Sequence, residues 1–372
     1  MSEFSHDRIQ VACELRGWSL VELSNRANIN YQTLIDLKKG RKEFNEELAQ
    51  FLSRALNLPI NFFIIKGSTP EESTLTFRAP RTLTKRRKLQ IMSEYGLLSS
   101  AVKSLIEMSR MDGQSQWIPD VASKARPTAD SIEHVAMLTR MILNLRSSGP
   151  VPNVIRAFER GGMVVAPLQS SNLADKQGRR ADGISQPSSV VPVIGYYSHP
   201  DTGDRLRFTI AHEVGHLILH KYADTSLTWK IREDEANQFA SAFLMPENDA
   251  RNILKPYMNL TDLLSIKARW GISIAALITR ATRLSIIDKD RQRSLMVQLS
   301  ARHWRQHEPI HVEVESPILL RQMVGSAFGE ILSPTHIKAS RRGVEGFLGL
   351  PFSLVSGWCD GLSEMDKSNL ID

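Results

Sequence analysis

The feature that most constrains this chain is His212-Glu213-Val214-Gly215-His216. Two histidines four positions apart lie on one face of a helix, one turn from each other, and a carboxylate follows the first. Their imidazoles can therefore converge on a single metal ion. Neutral imidazoles hold Zn²⁺ without quenching its Lewis acidity, an open position holds water, and the neighbouring carboxylate takes a proton from that water. The motif also fixes local structure, because the spacing works only if residues 207–220 are helical.

The flanking sequence suits that requirement. Val190 to Tyr197 is rich in β-branched and aromatic residues and predicts a strand, whose edge an extended substrate chain could use. Ser198 to Asp204 predicts a turn, and Arg207-Phe208-Thr209-Ile210-Ala211 leads into the motif. A third ligand is expected from the next strong helix, Glu233 to Pro246, whose buried stripe is Ala236, Phe239, Ala240 and Phe243. Glu233 and Asn237 share a face there. Glu233 completes a site of two histidines and one glutamate, and Asn237 makes a supporting hydrogen bond to a ligand. Glu235 points roughly 160° away from Asn237 and is the weaker choice of ligand. His220 extends the four-residue spacing, either as support for the ligands or as a residue favoured by the helix C-terminus.

These residues resemble the ImmA/IrrE family of metallopeptidases. The stretch Arg207-Phe208-Thr209-Ile210-Ala211-His212-Glu213-Val214-Gly215-His216 is similar to its R-F-T-x-A-H-E-x-G-H pattern. Glu233-Asp234-Glu235-Ala236-Asn237-Gln238-Phe239-Ala240-Ser241-Ala242-Phe243-Leu244-Met245-Pro246 is similar to E-x-E-A-N-x-F-A-x-x-L-L-M-P, with Phe243 where leucine is usual. Ala181-Asp182-Gly183-Ile184-Ser185 matches a shorter upstream element. The resemblance covers roughly residues 127 to 285. It implies His212, His216 and Glu233 as metal ligands, Glu213 as general base, and a repressor-like protein as substrate. Zn²⁺ is preferred by ligand type, and Mn²⁺ or Fe²⁺ also suits two imidazoles and a carboxylate.

Upstream, residues 8–65 predict short helices with tight connections. Ser19 with Glu22 forms a capping-box signature, Asn30 caps the next helix, and Gly40 ends it. Two short helices joined by a three-residue turn make a helix-turn-helix, and the segment resembles the Cro/C1-type repressor domain. That resemblance places Tyr31, Gln32 and Thr33, with Asp36, near bases of double-stranded DNA, and Lys38, Lys39, Arg41 and Lys42 near phosphates. Leu20 and Lys38 depart from the usual pattern, and acidic and basic residues balance over positions 1–65. A protein-docking or purely structural helical module is the competing reading.

The formal net charge of +7 is concentrated after this unit. Positions 73–93 carry Arg78, Arg81, Lys85, Arg86, Arg87 and Lys88 with no acidic residue, either extending a phosphate-binding surface or capping a solvated helix. The expected organisation is mostly helical α+β. A helix-turn-helix domain spans 1–65, a linker and connecting helix 66–126, a zincin-like metallopeptidase domain with a small sheet 127–285, and an α/β regulatory or dimerisation region 286–372. Leu260 to Arg283 forms a second helix-turn-helix shape read as a brace. In the last region Ile310 to Val314 predicts a strand and Leu319 to Ile331 a helix. His303, His307 and His311 are four apart, but Pro309 breaks a shared face, so no second metal site is expected.

Two cysteines near opposite ends, Cys13 and Cys359, argue against a disulfide framework. With no signal-like start or apolar span, a soluble, cytoplasmic protein is expected. Together these features predict a transcriptional regulator fused to a zinc-dependent endopeptidase, compatible with a homodimer. Two alternatives stand beside it: a DNA-binding or protein-binding regulator whose metallopeptidase fold senses or scaffolds without cutting, and self-cleavage in the linker at 66–83.

Overall fold

A computed structural model describes residues 4–65, 68–77, 82–109, 115–124, 129–172, 182–197, 203–222, 227–305, 307–333 and 336–365. Most of the turn expected at 198–204 and parts of the linker, including Arg78 and Arg81, lie outside these residues. Among the described residues the fold is mostly helical with two small sheets, an α+β arrangement. No described helix is long and apolar enough to cross a membrane.

The N-terminal unit packs α1 (Asp7–Arg16), α2 (Leu20–Ala27), α3 (Tyr31–Lys38) and α4 (Glu46–Leu56) around Ile9, Leu23, Leu34, Leu37 and Leu52. Local chemistry sets its boundaries. The Ser19 hydroxyl accepts the Glu22 N–H at 3.2 Å while the Glu22 carboxylate accepts the Ser19 N–H at 2.6 Å, a closed capping box. Asn30 and Asn45 cap α3 and α4 through their side-chain oxygens, which accept the Gln32 N–H at 2.8 Å and the Leu48 N–H at 3.0 Å.

The chain then makes β1 (Thr76–Phe77) and the 25-residue α5 (Lys85–Ser109). The connecting helix is a core element: Ile91, Met92, Tyr95, Leu98, Val102 and Leu105 are all buried. Next come α6 (Trp117–Lys124), α7 (Ala129–Ile142), α8 (Val154–Arg160), β2 (Val164–Pro167), β3 (Gly183–Ser185) and β4 (Val193–Tyr196). The first sheet has the order β1-β3-β4-β2, with β2 parallel to β4 and the other pairs antiparallel.

Alternation along these strands divides the protein into layers. Val164, Ala166, Ile184 and Val193 face a core shared with the N-terminal unit, α5 and the C-terminal region. Val165, Ile194 and Tyr196 face a second core. That core is built by α7, α8, α9 (Gly203–Leu219), α10 (Trp229–Leu244), α11 (Glu247–Ile253), α12 (Leu260–Trp270), α13 (Ile274–Arg283) and α14 (Lys289–Ala301). Here α12 and α13 bury Leu263, Trp270, Ile274, Leu277 and Ile278, so this pair packs as a brace. The second sheet, β5 (Gly329–Ser333), β6 (His336–Ala339) and β7 (Leu362–Glu364), joins α15 (Leu319–Phe328), α16 (Arg341–Leu348) and α17 (Phe352–Trp358).

Three expectations are corrected. Ile310 to Val314 alternates but forms no ladder; its chain lies instead against the start of α9, where a Cβ on Gly203 would fall 2.2 Å from the Glu313 carbonyl oxygen. The helix expected to Ile331 stops at Phe328, and the chain turns at Gly329 into β5. The strand expected from Val190 shortens to β4, and because β2 and β3 flank it, β4 has no free edge for a substrate.

Candidate metal centre

The site lies between α9 and α10, on the face of the sheet turned toward the second core. Helical spacing stacks His212 and His216, and Thr228 caps α10 so that Glu233 falls one turn into it, opposite the histidines. The two Nε2 atoms are 3.1 Å apart, and Glu233 carboxylate oxygens lie 3.2 Å from His216 Nε2 and 3.6 Å from His212 Nε2. Donors about 2.0 Å from one tetrahedral ion stand roughly 3.3 Å from each other, so these separations suit a shared metal. Among the described residues this is the cluster whose ligand atoms fit a metal ion.

The hydrogen bonds behind the ring nitrogens fit the same purpose. His212 Nδ1 is 3.0 Å from Asn237 Oδ1, an acceptor, so Nδ1 carries the proton and the Nε2 lone pair faces Glu233. On the other side Glu235 Oε2 lies 3.0 Å from His220 Nε2, and His220 Nδ1 lies 2.8 Å from His216 Nδ1. The carboxylate can only accept, so His220 Nε2–H donates to it. A neutral His220 then accepts at Nδ1 from His216 Nδ1–H, which again leaves a lone pair on His216 Nε2. Burial lowers the pKa of His220, opposed by the hydrogen bond to Glu235, and so favours this neutral form.

Glu213 is 1% exposed and turns toward β3. The Ser185 hydroxyl donates to its Oε2 at 2.6 Å, and the Thr76 hydroxyl lies 3.1 Å from the same oxygen. Gly183 allows this approach, since a Cβ there would stand 2.8 Å from Glu213 Oε1. The short Asp182-Gly183-Ile184-Ser185 stretch thus forms the strand beside the carboxylate.

Residue by residue, the structure brings His212, His216 and Glu233 together, with Asn237 and His220 behind them. Three contacts were not anticipated, the first being Ser185 with Glu213. Glu235, weighed only as a ligand, braces His220, and its position two residues from Glu233 on the other flank of α10 was the available signal. Thr76 lay in a stretch read as linker, and nothing in its local sequence points to Glu213.

The helix-turn-helix residues sit apart from this centre. Tyr31 and Gln32 are exposed at the start of α3 and Thr33 is half-buried, while Lys38, Lys39, Arg41 and Lys42 are exposed at its end and beyond. Gln32 Nε2 donates to Asp36 on its own helix at 3.2 Å. In the basic run opening α5, Arg86 pairs with Glu22 at 2.9 Å and Lys88 with Glu72 at 3.2 Å.

Among curated proteins, none matches the chain. Residues 160–282 match the profile of a peptidase family described as the IrrE N-terminal-like domain. The matched segment runs from β2 to α13 and includes His212, Glu213, His216, Glu233 and Asn237, so this part of the chain is similar to a family of zincin-like metallopeptidases whose chemistry suits a bound metal ion.

Proposed function

We propose that the chain is a transcriptional regulator carrying a zinc-dependent endopeptidase that cuts a repressor-like protein. The observation that carries the reading is the convergence of two imidazoles, each hydrogen-bonded at Nδ1, and Glu233, with the buried Glu213 carboxylate of the same helix as the histidines held against β3. His212, His216 and Glu233 would hold the metal, and two histidines with one carboxylate favour zinc. When bound, zinc supplies a Lewis acid and lowers the pKa of water at the open position.

The chain's residues supply the rest. Glu213 takes the proton of the attacking water and returns it to the leaving amine. Ser185 holds the carboxylate in place through its hydroxyl. Asn237 and the Glu235–His220 pair keep the ligand rings oriented. The exposed start of α3 would read DNA bases while Lys38, Lys39, Arg41 and Lys42 meet phosphates.

The test is elemental analysis beside a cleavage assay. Wild type should bind about one zinc per chain, Glu233→Ala should lose it, and Glu213→Gln should keep the metal yet fail to cleave. Cleavage by Glu213→Gln of a substrate that wild type cuts would remove Glu213 as the base.

A further inference from the structure

Among the described residues, the outer edge of β3 runs beside Glu213, where an extended peptide could lie. Gly183 and Ser185 touch the carboxylate from this strand, and the other edge of β3 is paired to β4 through Gly183↔Tyr196, Ile184↔Gly195 and Ser185↔Ile194. Extended chains join sheets at unpaired edges through their main-chain groups. Here that edge is taken. Thr76 pairs antiparallel with Ser185 and Phe77 with Ile184, so the chain's own β1 lies where a second protein would have to lie. Its placement reaches the reacting group, because the Thr76 hydroxyl is 2.6 Å from Ser185 Oγ as well as 3.1 Å from Glu213 Oε2.

The occupant is short and lightly held. A two-residue ladder is far below the length of an ordinary strand. Beyond the ladder it is tied by the Thr76 hydroxyl to the Ser185 carbonyl at 3.0 Å, by Gln186 to the Thr74 hydroxyl at 3.0 Å, by the exposed Lys88–Glu72 pair, and by Leu75 and Phe77, partly buried against the first core. The segment also has a second anchor. Pro70 sits against Gly96 of α5, and the Thr69 hydroxyl donates to Glu14 of α1 at 2.5 Å. Residues 68–77 therefore run as a strap from the first helix of the N-terminal unit to the proposed general base.

We propose that β1 is a built-in competitor: it occupies the peptide-binding edge of β3, and a second protein reaches the metal centre only when Thr76 and Phe77 leave that edge. This regulation rests on the peptidase reading above. The strap gives the N-terminal unit a mechanical hold on it, since movement of α1 pulls on the segment that fills the edge.

The test uses the full chain, zinc-loaded, with fluorescein-labelled casein as an unfolded probe. Binding is read by anisotropy in the non-cleaving Glu213→Gln background, with and without Thr76→Gly and Phe77→Gly. The loosened chain should bind at least tenfold more tightly; equal affinity overturns the proposal. Cleavage is then compared with Glu213 intact. A tenfold gain in the loosened chain supports the proposal, whereas equal cleavage by both forms overturns it and leaves the peptidase standing. Tighter binding without cleavage in either form keeps the competitor and removes the peptidase reading instead. Should the loosened chain fail to fold, Thr76→Cys with Ser185→Cys in the Glu213→Gln background can be locked by oxidation, because Cys13 and Cys359 are both buried. Probe binding should then appear only on reduction, and identical binding by the locked and reduced forms overturns the proposal.

Discussion

At the scale of single residues, the proton positions around His212 and His216 decide what the cluster could hold. Each ring nitrogen facing away from Glu233 has a partner that fixes which nitrogen carries the proton, and on the His216 side that partner is reached through His220 and Glu235. Removing such an outer carboxylate from a metal-bound histidine lowers affinity by about 10–100-fold in other metal sites. Glu235→Ala should therefore weaken zinc binding by at least about tenfold, measured by competition with a chelator. The protein should keep its helical circular dichroism, because Glu235 supports the ligand ring and contributes little to the apolar stripe of α10. Unchanged zinc affinity would mean that His220 is held by its packing alone. The clustering of His212 and His216 was legible in the sequence, since the spacing that stacks one on the other is a property of any helix. Glu235 was not, because its role depends on how α10 is rotated against α9, and that angle is set by Phe239 and Phe243 meeting residues far away in sequence.

At the scale of elements, local rules succeeded where the determinants were local. Three helices of the N-terminal unit, α2, α3 and α4, begin at caps that can be read within four residues, as Ser19 with Glu22 and Asn45 with Leu48 show. Strands fared worse, because a ladder needs a partner. Ile310 to Val314 has the alternation of a strand and no ladder partner among the described residues, whereas Thr76–Phe77 carries almost no pattern and pairs because β3 offers an edge. The exposed end of α3 makes a prediction of its own. If Lys39, Arg41 and Lys42 meet phosphates, changing all three to alanine should weaken DNA binding at every sequence tested. It should also reduce the slope of log affinity against log salt by about 3, one for each phosphate that is no longer neutralised. A salt slope unchanged in a titration across ionic strengths would favour a docking module over a DNA reader.

At the scale of the whole molecule, α5 joins parts that the sequence suggested were separate. Ser93 donates to the Val11 carbonyl in α1 at 3.2 Å, and the Tyr95 hydroxyl donates to the Val193 carbonyl in β4 at 3.0 Å. Glu94, 1% exposed, accepts from the backbone N–H groups of Gln169 and Ser170, from the Ser170 hydroxyl, and from Trp358 Nε1 in α17 at 2.8 Å. Replacing it with alanine would leave buried donors without their acceptor, a loss of about 3 kcal/mol. The denaturation midpoint of Glu94→Ala should fall accordingly, with an early change in Trp358 fluorescence. A shift below about 0.5 kcal/mol, the range typical of surface changes, would show that the carboxylate is dispensable.

The shared core also places two native reporters at opposite ends of the sequence. Cys13, whose thiol burial pushes its pKa up to about 12, and Cys359, whose pKa burial also raises, belong to one apolar cluster and are each 2% exposed. A thiol reagent can reach either one only while the protein is open, so the modification rate of each cysteine counts openings of its own neighbourhood. If the first and last parts of the chain open as one unit, mass spectrometry should find Cys13 and Cys359 modified at matching rates, and adding denaturant should accelerate both by the same factor. A faster Cys13 would instead reveal an N-terminal unit that swings away from α5 while the rest stays closed.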